Sequence, residues 1–190
     1  MIRAIIFDCF GVLAGGDWKD FWTTLPSPEL RSDARDLRKA YDIGRLTQEE
    51  FNQQLGELTG IPFSEIGSIF NNDNLAKNEQ LLHYIRSLKP KYKIGLLSNV
   101  GSSWIEDKLL SPDEQSLFDA MVFSYRVSMA KPNPQIYLLI ASKLKVDPSE
   151  CVFVDDISSY CEVAGQLGMK TIVYSSFSGF KGELSKILSK

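Results

Sequence analysis

In this 190-residue chain, four short segments carry residue types suited to chemistry: Asp8, Ser98-Asn99, Lys131 and Asp155-Asp156. Asp8 ends an apolar run, where a carboxylate is expensive unless a cation or metal answers it. Ser98-Asn99 and Asp155-Asp156 end two further apolar runs, and Lys131 follows a third. Brought together, these residues place two or three carboxylates, a hydroxyl and an ammonium at one spot. Such a set suits an anionic substrate and a hard divalent cation, which prefers oxygen ligands. Three of the four segments also have a plain reading taken singly. Acids at 155–156 can cap a helix, Lys131 can be an exposed lysine, and Ser98-Asn99 can be a turn.

Convergence requires that the preceding apolar runs be neighbouring strands. Residues 2–8 form a continuous β-branched and aromatic run, the pattern of a parallel strand buried on both faces. Similar runs recur at 93–98, 120–125, 151–155 and 171–174. Helical patterns separate them at 79–88, 103–110, 134–144 and 160–167, with Pro134 suited to a first helical turn. This alternation predicts an α/β fold, a doubly wound parallel five-stranded sheet with right-handed crossovers. Ligands bind such sheets at the carboxyl ends of the strands, which is where the four segments fall.

The stretch from about residue 17 to 75 breaks the rhythm. Residues 19–25, 28–43, 48–58 and 64–70 read as helices, and Thr47 followed by Glu49-Glu50 makes a good helix start. The simplest account is a small α-helical domain of residues 15–77, inserted after the first strand of a core formed by 1–14 plus 78–190. Linkers are expected near Gly15-Gly16 and across residues 71–78, where small and polar residues cluster.

Composition excludes several classes. A net charge of −3 with no basic stripe argues against duplex binding, so no nucleic-acid partner is expected. The Lys89-Pro90-Lys91-Tyr92-Lys93 cluster reads as the solubilised entry to a buried strand. No apolar run is long enough to span a bilayer, and the N-terminus lacks a signal-peptide cleavage region. Cys9, Cys151 and Cys161 are odd in number and lack zinc-like spacing, so reduced thiols in a cytoplasmic protein are expected. His83 is the one histidine, which excludes a histidine-rich metal site and leaves a triad mechanism without support.

The segments at residues 7–13, 97–99, 131–134 and 154–156 resemble the four motifs of the haloacid dehalogenase (HAD) superfamily, in the right order and across nearly the whole chain. The helical insert stands where that family carries its cap. The resemblance implies a hydrolase of the phosphatase branch, acting on a small phosphorylated metabolite such as a sugar phosphate, as a monomer or homodimer. In it, Asp8 is the nucleophile and forms an aspartyl-phosphate, splitting one displacement into two. Ser98 binds a phosphoryl oxygen with help from the Asn99 backbone, and Lys131 neutralises charge beside Asp8. Mg²⁺ is held by Asp8, Asp156 and the Phe10 carbonyl, with Asp155 binding it directly or supporting it from behind.

The pattern departs from the family at three positions. Phosphatases of the family carry an acid/base aspartate two residues after the nucleophile, and here that residue is Phe10, which transfers no proton. Such help is typically worth about 10²–10⁴ in rate. Tyr160 replaces an expected Asn or Asp, and Ser128 an expected glycine. Three readings follow: a phosphatase that finds its proton elsewhere (on Mg²⁺, water or a cap residue), a 2-haloacid dehalogenase, and a binding module without turnover. Dehalogenation needs no metal and gives no reason for Asp155-Asp156, which favours phosphate. Asp17, Trp18, Trp22, Tyr41 and Arg45 are the candidates for cap residues facing the substrate.

Overall fold

The computed structural model describes residues 1–15, 21–71, 73 and 75–189. Among them, five strands form one parallel sheet in the order β3-β2-β1-β4-β5. These are β1 (Ala4–Phe7), β2 (Lys93–Ser98), β3 (Ala120–Phe123), β4 (Cys151–Asp155) and β5 (Lys170–Val173). β1 is central, with Phe7 opposite Leu96 of β2 on one side and Val154 of β4 on the other. Chain order reverses across β1, so its carboxyl end opens on the crevice where open parallel sheets bind ligands.

Side-chain alternation divides the sheet between two cores. Ile5 and Phe7 point to one face, packed with Leu81, Leu82 and Ile85 of α5 (Glu79–Leu88) and Phe180 and Leu184 of α10 (Phe177–Leu188). Ala4 and Ile6 point to the other, covered by α8 (Pro134–Leu144) and α9 (Ser158–Gln166). All of these strand residues are fully buried, which is why β1 reads as one apolar run.

Between β1 and α5 lie α1 (Phe21–Thr24), α2 (Pro28–Asp42), α3 (Gln48–Thr59) and α4 (Phe63–Ile69). They close around their own core of Phe21, Leu25, Ala34, Tyr41, Phe51, Leu55, Ile66 and Phe70, with the Tyr41 ring stacked on Phe51 at 5.0 Å. The Ser27 side chain caps α2, and Thr47 and Glu50 form a reciprocal capping box on α3. The two crossings to the sheet run side by side: Ala14 bridges Lys77, and Gly15 N–H donates to Ala76 O.

Several expected elements are shorter or of another kind. The helix expected at 103–110 is a single wide turn, Ile105–Leu109, whose C-terminal Leu110 N–H reaches back five residues to Ile105 O. The strand expected at 120–125 stops at Phe123, because α7 (Ser124–Val127) begins at once and Ser124 turns its hydroxyl to Val100 and Asp42. α6 (Pro112–Gln115) and α10 were not foreseen. The capping box of α6 and the Ser176 cap of α10 are local signals that were present. His83 is exposed on α5, and no described helix is long and apolar enough to cross a membrane.

Candidate active site

The sheet delivers its polar residues to one edge. Asp8 directly follows β1, and its N–H still pairs with Val154 O at 2.9 Å. A tight loop then folds back, with Cys9 O accepting from the N–H groups of Val12, Leu13 and Ala14. Gly11 makes this possible with φ +84, and a Cβ there would collide with the Asp156 carboxylate. A small residue in that loop therefore lets the acids from two strand ends approach each other.

Lys131 is the hub. Its Nζ lies 2.8 Å from Asp8 Oδ1 and 2.6 Å from Asp155 Oδ2, with all three side chains almost wholly buried. The amine also stands over the Tyr160 ring, 5.2 Å from its centroid. Burial disfavours the charged amine, but the two carboxylates outweigh this and hold it as ammonium, well above a lysine's usual range. Burial pushes the Asp8 carboxyl up, Lys131 pulls it down, and repulsion from Asp155 adds to the rise, so the net direction is up. One ammonium does not fully answer the buried acids around it.

Asp8, Asp155 and Asp156 each offer a carboxylate oxygen, and these oxygens lie within 4.8 Å of one another. Three hard oxygen donors in that space fit a divalent cation such as Mg²⁺. Asp155 is the most committed of the three, since Oδ2 takes Lys131 and Oδ1 takes the Ile157 N–H at 2.9 Å.

Ser98 is fully buried at the carboxyl end of β2, and its Oγ has no hydrogen-bond partner among the described residues. Asn99 follows at the same strand end. Its side chain clamps the Lys131 backbone, donating to Lys131 O at 2.9 Å and accepting from Lys131 N–H at 2.8 Å. Ser128, in the place of an expected glycine, adopts the left-handed conformation with φ 52. Cys9 packs in the core, where burial holds its thiol far above the range of a proton donor.

A cavity of about 630 Å³ opens on this cluster. Asp8, Phe10, Asn99, Lys131, Asp156, Ile157, Ser159 and Tyr160 form its floor, and Trp22 with Arg35, Arg38, Lys39 and Asp42 forms its roof. The Phe10 ring stacks beside Trp104, with centroids 6.1 Å apart. Of the candidates for the roof, Trp22 reaches the cavity. Tyr41 is buried in the helical core with its hydroxyl on Gln48, Arg45 is exposed, and Asp17 and Trp18 lie outside the described residues. Residues 35, 38, 39 and 42 escaped notice because a charged helix face ordinarily faces solvent. Their i, i+3, i+4, i+7 spacing did put them on one side, opposite Ala34, Leu37 and Tyr41.

Asp42 is the unusual member of that face, a carboxylate only 9% exposed. Arg38 Nε donates to its Oδ1 at 2.8 Å. Burial pushes its carboxyl up, opposed by Arg38 and then by the charge of Lys131.

Residues 2–159 match a hydrolase family model, that of the haloacid dehalogenase-like hydrolases. The chain is 30% identical, across the whole of both sequences, to the D-ribitol-5-phosphate phosphatase of Bacteroides thetaiotaomicron. It is 28% identical to the bifunctional epoxide hydrolase 2 of Sus scrofa, covering 98% of this chain but only 39% of that longer one. Its fold superposes on a HAD family enzyme of Bacteroides thetaiotaomicron in complex with magnesium and inorganic phosphate. That match has a TM-score of 0.71 at 23% identity, over 95% of this chain and 99% of the other.

Proposed function

This chain belongs to the haloacid dehalogenase-like hydrolases, and we propose that within that family it is a Mg²⁺-dependent phosphatase of a small phosphorylated polyol or sugar. The observation that carries the reading is the buried ammonium of Lys131 shared by Asp8 and Asp155, beside a third carboxylate. That arrangement holds a carboxylate in position to attack and sets an ammonium beside it, with room for a cation among the acids, to meet a phosphoryl group. The phosphatase among the full-length relatives supports the substrate class.

In this reading Asp8 attacks phosphorus and carries the phosphoryl group until water releases it. Lys131 holds Asp8 in position and offsets charge on the phosphoryl oxygens. Ser98 Oγ donates to one of those oxygens, and Asn99 keeps the lysine in register through its backbone. Asp8, Asp156 and the Phe10 carbonyl would hold Mg²⁺, while Asp155, its oxygens already engaged, anchors the amine. When bound, Mg²⁺ would supply positive charge to offset that of the phosphoryl group. Helices α1–α4 act as the cap, a unit of residues 15–77 whose α2 face closes the cavity. The three cysteines are unpaired and buried, which suits a reducing, cytoplasmic setting.

Asp8→Asn tests the assignment. Phosphate release from a panel of sugar and sugar-alcohol phosphates in Mg²⁺ should fall by at least ~10³-fold, with the circular dichroism spectrum unchanged. Full activity in that variant would remove Asp8 from the mechanism. Chloride release from 2-chloropropionate that survives chelator would instead identify a dehalogenase.

A further inference from the structure

An alkyl phosphate releases its alcohol readily only if a proton reaches the departing oxygen. The residues beside the nucleophile offer none that suits. Phe10 is a hydrocarbon, Cys9 lies in the core, and the amine of Lys131 is committed to two carboxylates. Asp155 is engaged at both oxygens, and Asp156 belongs to the acid cluster. Among the described residues lining the cavity, Lys39, Asp42 and Tyr160 remain, and the exposed Lys39 amine is paired with Asp36 at 2.8 Å. Burial pushes the Tyr160 phenol above its ordinary range, so it is a poor acid, and its ring is occupied with Lys131.

Asp42 is also held in place. Its carbonyl accepts from Ser124 Oγ at 2.5 Å, tying the last turn of α2 to the loop after β3. Gly44 turns with φ +74 so close to the core that a Cβ would stand 2.8 Å from Tyr125 O. Gly101 lies under the Tyr41 ring with no room for a Cβ. Three contacts thus dock this end of the helix on the sheet, with the Asp42 carboxyl on the cavity wall near enough to feel the Lys131 charge. Arg38 occupies Oδ1 and fixes the rotamer.

We propose that Asp42 is the proton-transfer residue of this active site, a carboxyl delivered from the roof helix in place of one on the nucleophile's own loop. The proposal rests on the phosphatase reading. As a carboxylate oxygen of Asp8 bonds to phosphorus, the phosphorus–oxygen ester bond breaks and the Asp42 carboxyl gives its proton to the alkoxide, releasing alcohol. The Asp42 carboxylate then takes a proton from water as the water oxygen bonds to phosphorus. The acyl–phosphate bond breaks, inorganic phosphate leaves, and both aspartates return to their starting states.

The test is the leaving-group dependence of kcat/KM in the Mg²⁺-loaded enzyme, across a sugar-alcohol phosphate, substituted phenyl phosphates and acetyl phosphate. The unmodified enzyme should depend weakly on the acidity of the departing oxygen, and a steep dependence would overturn the proposal without any variant. Asp42→Asn should lose ~10²-fold or more on the alkyl ester and less than ~10-fold on p-nitrophenyl phosphate. Its kcat should fall for every substrate, with aspartyl-phosphate accumulating, because the water step has lost its base. Asp42→Glu should recover part of the alkyl activity. Equal kcat/KM losses across the series would assign Asp42 a merely structural role, as Ser124→Ala, which disturbs the same docking, is expected to show. Absence of phosphate release from every ester by the unmodified enzyme would refute the phosphatase reading itself.

Discussion

Lys131 shows how one side chain sets the state of its neighbours. Its ammonium lies within 2.8 Å of two buried carboxylates from different strand ends, so removing it leaves like charges facing each other out of water. Lys131→Met should therefore lose about 3–5 kcal/mol of stability at neutral pH in addition to activity. The sign with pH follows from Asp8. Burial already raises its folded-state carboxyl above the unfolded value, and the variant also removes the opposing pull of the lysine. The folded variant then binds a proton that the unfolded chain has released, so the stability due to that proton is present at low pH and lost as pH rises. Urea unfolding should show the gap between variant and parent wider at about pH 8 than at about pH 5. A constant gap would mean that the ammonium does not govern Asp8.

Among the elements, α2 does two jobs with two faces. Ala34 and Tyr41 bury into the helical core, while Arg38 and Asp42 turn to the cavity. Its docking depends on the absence of a side chain at residue 101, where a Cβ would strike the Tyr41 ring. Gly101→Ala should cost about 1–3 kcal/mol by overpacking and shift the roof, with kcat/KM falling more than the unfolding midpoint alone explains. Thr47→Ala provides a contrast, since Thr47 caps α3 away from the cavity. Its loss should cost about 1 kcal/mol in urea unfolding and leave kcat/KM on any phosphate ester near the parent value. The parallel strands and the capped start of α3 were legible from sequence because burial and capping are local patterns. The turn at 105–109 was not, since its wide hydrogen bond and the packing of Trp104 on Phe10 depend on distant chain.

For the molecule as a whole, the balance of charge at the sheet edge links metal to stability. Three carboxylate oxygens within 4.8 Å of one another make a site that a divalent cation should occupy in the folded state alone. Adding Mg²⁺ to chelator-treated protein should raise the thermal midpoint, by the equivalent of about 2.7 kcal/mol at a hundredfold excess over Kd. Asp156→Asn should flatten that response. An unchanged midpoint in the parent at millimolar Mg²⁺ would argue that the acids do not form a metal site.

Residues 4–7 and 151–155 announced a buried parallel sheet, because strands covered on both faces have little room for polar side chains and leave an apolar run ending at a charge. That pattern also marked Asp8, Ser98, Lys131 and Asp155-Asp156, since such a sheet brings its carboxyl ends to one edge whatever lies between. What closes over that edge was decided in three dimensions. Arg38 and Asp42 on α2 look in sequence like a solvated face, and only the docking of the helix through Ser124, Gly44 and Gly101 turns them inward. Likewise Asn99 is a turn residue until the fold brings Lys131, thirty-two positions away, against its amide. Local chemistry specifies strands and their ends, whereas which polar face meets another depends on contacts between segments far apart in the chain.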